Sequence, residues 1–91
     1  MSVQIIVHPF FLHLVEGQEI VEVEGRRVGE CLASLVRRYP ALKQALFDRH
    51  GRLRGWIEIY CNDRTTYPDE LDHLVADGDQ LRITVLAVGG G

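Results

Sequence analysis

Residues 28–40 read VGECLASLVRRYP, and this stretch decides the class of fold. Its apolar side chains recur at spacings of three and four residues, which predicts one stripe of an amphipathic helix: Val28, Cys31, Leu32, Leu35, Val36 and Tyr39. Glu30 falls in the first turn and Arg37 and Arg38 in the last, the charge order that the helix dipole favours. Pro40 ends the helix, because proline restricts the preceding residue and has no N–H to donate.

Two strands are predicted before this helix. Apolar and polar residues alternate over residues 3–8 and about 19–24, with a turn at residues 16–18 between them. The inward side chains of this pair are Val3, Ile5, Val7, Val21 and Val23. An antiparallel hairpin of this kind has one buried face, which must be covered by another layer.

The chain after the helix is predicted to return to the sheet. We expect a short helical turn at residues 42–46, a mobile polar loop over 48–55, and a third strand over 56–61. A short edge strand over 65–67 and a final strand over 80–88 should follow. The inward residues of the third and final strands are Ile57, Ile59, Cys61, Leu81, Ile83, Val85 and Ala87. The residues expected to pack under the loop before the ADGD turn at 76–79 are Leu71, Leu74 and Val75.

The order of these elements predicts an α+β fold. A two-strand hairpin cannot bury the helix stripe alone, so the later strands must join the same sheet. A final strand placed beside the first gives a mixed sheet of four to five strands covered by one main helix. This is the β-grasp, or ubiquitin-like, arrangement, although periodicity alone does not establish the strand order. We expect a single domain over residues 1–91 with a flexible tail at 89–91.

Composition excludes several classes of protein. The chain has 91 residues, 46% of them hydrophobic and 25% charged, which is typical of a small globular domain. Its formal net charge of −3 argues against a nucleic-acid-binding protein. No apolar run approaches the roughly 18–20 residues of a membrane span. Two isolated cysteines fit neither a zinc site nor a disulfide scaffold, so we expect a reducing, cytoplasmic location.

The residue pattern contains no catalytic constellation. The four histidines are scattered over strand ends and loops, and the common nucleophile and phosphate-binding motifs are absent. Cys31 lies on the apolar helix stripe and Cys61 on the inward side of the third strand, so both are interpreted as core residues. We therefore expect no self-sufficient enzyme, no bound metal and no cofactor held by this chain.

A basic segment covers residues 37–54. It holds six arginine and lysine residues and one acidic residue, Asp48. Two interpretations stay open: a solvated surface, or a docking patch for an acidic partner, since guanidinium groups pair well with carboxylates. Nucleic acid is a weaker third interpretation, because no aromatic residues are interleaved with the charges.

The carboxyl end is the most informative stretch. The final strand is followed directly by Gly89, Gly90 and Gly91. Glycine has no Cβ, so such an arm is narrow enough to thread a tight channel and present its carboxylate to another protein's active site. A glycine run alone is a weak signal, since termini are often frayed. Directly after a ββαβ(β)β pattern, it becomes a strong one.

These features resemble the ubiquitin-like sulfur carriers of the MoaD/ThiS type. The resemblance covers nearly the whole chain, and its most specific blocks are VGECLASLVRRYP at 28–40 and ADGDQLRITVLAVGGG at 76–91. Molybdopterin-type members often have prolines before the tail, where this chain has Leu86-Ala87, and an extra glycine, Gly89, precedes the terminal pair. The segment HGRLRGWIEIYCND at 50–63 also resembles the carrier of an alternative cysteine biosynthesis.

The resemblance implies a mechanism that depends on partners. A ubiquitin-activating-type enzyme would adenylate the Gly91 carboxylate with ATP, and a sulfurtransferase or persulfide donor would convert it to a thiocarboxylate. A sulfur-accepting synthase, most directly the large subunit of molybdopterin synthase or its equivalent, would receive the sulfur. Cysteine or thiamine-thiazole synthesis are alternatives for the acceptor. A protein modifier that forms isopeptide bonds, or an inert β-grasp interaction module, are alternatives of another class.

Strand parity predicts the surface to which these partners dock. If Leu81, Ile83 and Val85 face the helix, then Leu86 and Val88 face the other way. Trp56 and Tyr60 lie opposite Ile57 and Ile59 by the same argument. The predicted partner-binding residues are therefore Leu86, Val88, Trp56 and Tyr60, because contiguous outward apolar residues beside a reactive tail are typical of an interface. The alternative is that the loop over 68–75 or a second copy covers them.

Overall fold

Five strands form one mixed sheet with a parallel pair inside it. They are β1 (Ser2–Ile6), β2 (Ile20–Glu24), β3 (Ile57–Cys61), β4 (Arg64–Thr65) and β5 (Gln80–Val85), in the order β2-β1-β5-β3-β4. β1 and β5 are parallel, and each of the other neighbouring pairs is antiparallel. The computed structural model describes residues 1–86. This sheet with its one main helix confirms the predicted β-grasp fold.

Two α-helices and two 3₁₀ helices complete the described chain. The main helix, α1 (Val28–Arg38), ends just before Pro40 as predicted, and α2 (Leu42–Leu46) follows at once. The 3₁₀ helices cover Pro9–Leu14 and Glu70–Asp72. Helix α1 packs against one face of the sheet, so the opposite face of the sheet, called here the open face, has no helix over it.

The core lies between α1 and the inward side of the strands. Cross-strand partners alternate between the two faces of the sheet, and the valine and isoleucine residues with the lowest exposure share the face towards α1. The fully buried large side chains include Ile5, Leu32, Leu35, Leu42, Leu46, Ile59, Leu81 and Ile83. The predicted inward parity of β1, β2, β3 and β5 is therefore confirmed for the described residues; Ala87 lies outside them.

Helix α1 also covers the free edge of β2. Ser34 Oγ donates to Glu24 O at 3.0 Å, and Arg38 Nη2 donates to Glu22 O at 3.1 Å. An edge strand presents unpaired carbonyl groups that could pair with another chain. These two side chains satisfy such groups, and they tie the helix to the strand that precedes it.

The connection between β1 and β2 is more structured than predicted. The predicted turn is present, with positive φ at Glu16 and Gly17, but a 3₁₀ helix precedes it. His8 Nδ1 accepts a hydrogen bond from Phe10 N at 3.0 Å and so caps the first turn of that helix. Pro9 suits its first position, where an N–H would have no partner within the helix. The segment buries Phe11 as part of the core.

Other boundaries differ from the prediction by one to three residues. β1 and β3 are shorter at one end than expected, the edge strand is Arg64–Thr65, and β5 ends at Val85. Val75 is buried as expected, and Leu71 packs against the core. The prediction for Leu74 is wrong: it is 66% exposed. Leu74 forms an isolated antiparallel bridge with Arg27, so the chain is extended there. Successive side chains of an extended chain point in opposite directions, and because Val75 points into the core, Leu74 points outward.

The loop over residues 48–55 is tied down by Asp48. Asp48 Oδ1 accepts from His50 N at 2.8 Å and from Arg52 N at 3.0 Å. Phe47 and Leu53 form an isolated bridge, and both pack partly against the core. The backbone hydrogen bond from Arg52 is the main cause that lowers the pKa of Asp48. The predicted polar loop is therefore a hydrogen-bonded turn with two apolar contacts to the core.

The helix stripe gives the first testable prediction. Leu35→Ala should lower the free energy of unfolding by about 2–5 kcal/mol, because Leu35 is 0% exposed and the change leaves a cavity against the sheet. Urea unfolding followed by circular dichroism measures the loss. Leu74→Ala is the matched control, and it should change stability by less than about 0.5 kcal/mol. A loss below about 1 kcal/mol for Leu35→Ala would contradict the assignment of the buried stripe.

Candidate functional site

The chain leaves the sheet from the end of β5. This strand hydrogen-bonds to β1 on one side and to β3 on the other, and just beyond it Leu86 N donates to Trp56 O at 2.7 Å. The described chain thus stays anchored to a neighbouring strand up to its last residue. The predicted tail residues Gly89, Gly90 and Gly91 and the predicted contact residue Val88 lie outside the described residues.

The beginning of β5 is fixed by the carboxylate of Asp79. Asp79 Oδ2 accepts from Ala76 N at 2.7 Å, and Oδ1 accepts from Asn62 Nδ2 at 2.9 Å. The Asn62 side chain in turn accepts from Gln80 N at 3.0 Å. The hydrogen bond from Ala76, followed by that from Asn62, lowers the pKa of Asp79, so the carboxylate is ionised at neutral pH. This network connects the ADGD turn to the turn after β3.

Register places Trp56, Tyr60 and Leu86 on the open face. Ile57 pairs with Val85 and Ile59 with Ile83 on the side towards α1, so Tyr60, which follows Ile59, points the other way. The same alternation, continued one residue beyond the pair Ile57–Val85, puts Trp56 and Leu86 on the open face just outside the two strands. Leu86 lies beside Trp56, and Tyr60 lies opposite Arg82 further along the same strands. The structure therefore brings Trp56 and Leu86 together and places Tyr60 on the same face at a distance from them.

These side chains are available at the surface of the described chain. Trp56 is 47% exposed and Leu86 is 44% exposed. Leu86 lines a groove together with residues 67–72, so this part of the loop lies beside Leu86 without burying it. Tyr60 is half-buried, and its hydroxyl donates to Glu58 Oε1 at 3.4 Å. The Arg54 guanidinium carbon lies 5.4 Å from the centre of the Trp56 ring, a cation–π contact that restrains this ring.

Two further apolar residues lie on the open face. Ile6 pairs with Ile20 on one side and with Arg82 on the other, and Arg82 pairs with Tyr60. Ile20 is 52% exposed. Alternation within residues 19–24 already put Ile20 on the outer side, but only the register between four strands shows that it lies in one row with Tyr60. Neither Ile6 nor Ile20 is among the contact residues predicted from strand parity.

Both thiols are buried, as predicted. Cys31 is 0% exposed and Cys61 is 7% exposed, and both are free cysteines. Burial, with a smaller contribution from Glu30, raises the pKa of Cys31 to about 11. Burial, with a smaller contribution from Asp79, raises the pKa of Cys61 to about 11, and its Sγ lies 3.6 Å from Asp79 Oδ2. Neither thiol is therefore a nucleophile at neutral pH.

The described residues form no other reactive cluster. Within residues 1–86, no three His, Cys, Asp or Glu side chains are grouped so that they could hold a metal ion. In the same part of the chain, every helix is too short or too polar to cross a membrane. The site is thus an exposed apolar surface next to the start of the tail.

Comparison with known proteins identifies the family. A model of the ThiS family matches residues 10–91. The structure of SAMP1 from Haloferax volcanii superposes with a TM-score of 0.86 at 26% identity, covering 99% of this chain and 100% of that chain. CysO in the Amycolatopsis orientalis BexX/CysO complex gives 0.87 at 27% identity, covering 97% and 99%.

A more distant structure shares the fold. The complex of subunits 1 and 2 of the molybdopterin-converting factor from Helicobacter pylori gives a TM-score of 0.64 at 21% identity, covering 99% of this chain and 100% of that chain. Among curated protein sequences, no match to this chain was found.

The β-grasp fold and the family match define a ubiquitin-like protein of the sulfur-carrier type. The chain belongs to the ThiS family, since the family match covers most of its length and runs through the final glycines.

The buried thiols give the second prediction. With pKa values of about 11, only about 0.1% of each thiol is ionised near pH 8, and both are shielded from reagents. Iodoacetamide should therefore alkylate the folded chain at least about tenfold more slowly than the urea-unfolded chain, as measured by intact mass. Rapid alkylation of either cysteine in the folded chain would show that it is a reactive group.

Proposed function

We propose that this chain donates sulfur through a thiocarboxylate at Gly91. The observation that carries the proposal is the family match over residues 10–91, which includes the glycine tail that follows a strand anchored inside the sheet. A ubiquitin-activating-type partner would use ATP to activate the tail. The chain itself acts as a protein co-substrate rather than as an enzyme.

The proposed chemistry activates a poor electrophile. A Gly91 carboxylate oxygen attacks the α-phosphorus of ATP, pyrophosphate leaves, and an acyl-adenylate results. Hydrosulfide attacks the carbonyl carbon and displaces AMP, which leaves a thiocarboxylate. If a sulfurtransferase persulfide attacks instead, the product is an acyl disulfide, and a second thiol must cleave its S–S bond to release the thiocarboxylate. The glycines permit close approach to the carbonyl carbon because they carry no side chain.

This chain contributes position rather than reactive groups. Cys31 and Cys61 are buried with raised pKa values, so they do not compete as sulfur acceptors. The hydrogen bonds of β5 to two strands and of Leu86 to Trp56 hold the start of the tail at a defined place. ATP belongs to the activating partner, and no cofactor is assigned to this chain. Free cysteines fit a reducing, cytoplasmic location.

We assign partner docking to the open face near the tail. Trp56 and Leu86 supply an exposed apolar pair, and Tyr60 lies further along the same face, beyond the pair Glu58–Thr84. Aromatic residues of this kind provide much of the binding energy in protein interfaces. Val88 is expected to continue the set by strand parity. The partners are the adenylating enzyme and the sulfur-accepting synthase, which use the same tail and so bind in turn.

The acceptor that we propose is molybdopterin synthase, through its large subunit or an equivalent protein. The similarity to CysO at 27% identity, together with the segment 50–63, favours an alternative acceptor in cysteine biosynthesis. Reconstitution with each candidate synthase distinguishes the two, because only the cognate synthase consumes the thiocarboxylate. Transfer to a thiamine-thiazole synthase is the third outcome of the same assay.

A second candidate function is covalent protein modification. It is favoured by the similarity to SAMP1, since the structure from Methanosarcina acetivorans is described as a small archaeal modifier protein and is 26% identical to this chain. Modification uses the same activated tail but ends in an isopeptide bond. Acidic denaturing gels of cells that express a tagged chain separate the two functions, because only a modifier produces ladders of covalent conjugates. An inert interaction module produces neither ladders nor thiocarboxylate.

The third prediction concerns the tail. With ATP, a cognate adenylating enzyme and a sulfur donor, the intact mass should increase by one oxygen-to-sulfur exchange located at Gly91. Removal of Gly91, or addition of one residue after it, should abolish the increase and leave the circular dichroism spectrum unchanged. An unchanged mass with several cognate enzymes, or a modification located at Cys61 instead, would refute the proposed function.

The fourth prediction concerns docking. Leu86→Glu should weaken binding to the activating enzyme by about tenfold or more, because a charge replaces an apolar contact at the base of the tail. The melting temperature should change little, since Leu86 is 44% exposed in the free chain. Leu74→Glu is the matched control, because Leu74 is 66% exposed and follows the second 3₁₀ helix rather than β5. Equal binding by wild type and Leu86→Glu places the docking surface elsewhere.

A further inference from the structure

A second surface lies on the helical side of the domain, away from the open face. It is a groove of about 910 Å³ between α1, α2 and the loop that follows them, called here the basic groove. Its lining comes from the exposed side of α1, from residues 43–44 of α2, and from the chain between residues 47 and 54, which belongs to the basic segment 37–54. The function proposed above makes no use of this groove.

The floor of the basic groove is apolar. Val36 from α1 and Phe47 after α2 are both partly buried against the core and still line the groove. Ala33, one turn before Arg37 on α1, is exposed beside them. A floor of this kind can take an apolar side chain from a partner, because burial of apolar surface from both sides is favourable.

The rim of the basic groove is positively charged. Four cations line it, Arg37, Lys43, Arg49 and Arg54, against one carboxylate, Asp48. The Asp48 carboxylate already accepts two backbone hydrogen bonds from its own loop. Within residues 1–86, no side-chain carboxylate lies within 4.0 Å of any of the four cations. In a chain of net charge −3, this is a concentrated and uncompensated positive patch.

Some of these cations are already held in position. Arg54 Nε donates to Gln44 O at 2.7 Å, and Arg37 Nη2 donates to Ser34 Oγ at 3.2 Å. Each of these guanidinium groups retains further N–H donors for a ligand. Positioned side chains lose less conformational entropy when they bind, so the groove is partly organised before a ligand arrives.

We propose that the basic groove binds an acidic segment of a partner protein, with one apolar side chain of that segment on the Val36–Phe47 floor. Charge complementarity favours glutamate and aspartate residues on either side of that anchor. Nucleic acid fits less well, because the lining offers one aromatic ring and binding of single strands depends on stacking of successive bases. The groove is on the helical side of the sheet and the open face is on the other side, and Arg54 stands at the edge where the two meet. A partner can therefore hold the chain in the groove while the tail is bound by another protein.

The test uses the isotope-labelled chain alone and a synthetic peptide of glutamates with one central phenylalanine. Titration at low ionic strength, followed by NMR, should shift the amide signals of Ala33, Val36 and Phe47. Arg37→Glu/Lys43→Glu should weaken peptide binding by about tenfold or more, and about 0.15 M salt should weaken it further. The matched control Arg64→Glu/Arg82→Glu makes the same change of charge on β4 and β5, and it should bind as wild type does.

Several outcomes would overturn the proposal. The first is an equal loss of peptide binding in the control variant. The second is that the NMR signals that shift belong only to residues of the open face. The third is that an oligonucleotide of equal charge binds more tightly than the peptide and shifts the same amide signals. Self-association of the wild-type chain that Arg37→Glu/Lys43→Glu abolishes would assign the groove to a second copy instead. If the double variant unfolds, Lys43→Glu serves alone, because Lys43 is exposed and its side chain makes no hydrogen bond within residues 1–86; its backbone hydrogen bonds to Pro40 and Phe47 do not depend on the side chain. None of these results depends on tail chemistry, so failure here leaves the proposed sulfur transfer untouched.

Discussion

The parallel pairing of β1 with β5 is the constraint on which the rest of the structure depends. Three residue pairs, Gln4–Gln80, Ile5–Leu81 and Ile6–Arg82, join the first strand to the last. Parallel neighbours cannot be joined by a tight hairpin, so the chain between them must cross over a face of the sheet. Helix α1 makes that crossing, and its apolar stripe closes the core. Without this pairing, the hairpin β2–β1 and the three strands β5-β3-β4 would be separate units with no common sheet.

The same pairing positions the tail. The first half of β5 has a neighbour on each side, so its opening requires both ladders to break, and the second half stays paired with β3 up to Val85. Asp79 and Asn62 hold the beginning of β5, and the hydrogen bond from Leu86 to Trp56 holds the chain just after it. In the proposed function, the segment that carries the Gly91 carboxylate therefore begins at a defined point, which reduces the entropy lost when a partner binds it. The domain can contribute to sulfur transfer in this way without any reactive side chain.

The two faces of the sheet differ in chemistry. The open face presents apolar and aromatic side chains close to the tail, whereas the helical side presents cations around an apolar floor. Arg54 connects the two, since it lines the basic groove and also lies over Trp56. In the proposed function, the burial of both cysteines keeps the protein's own thiols away from the sulfur chemistry at Gly91.

Local sequence patterns determined the elements and the side of each strand that is buried. The stripe from Val28 to Leu35, the stop at Pro40 and the parity that turned Trp56 and Tyr60 outward all follow from helix and strand geometry within a few residues. The exposure of Leu74, the row from Ile20 to Tyr60, the 3₁₀ helix at Pro9–Leu14 and the convergence of Arg37, Lys43 and Arg54 around one groove were decided by the tertiary structure. These features depend on contacts between residues far apart in the chain, and periodicity carries no information about which distant segments meet. The order of the strands was also decided by the tertiary structure, because it is set by the packing of α1 on a complete sheet rather than by any single strand.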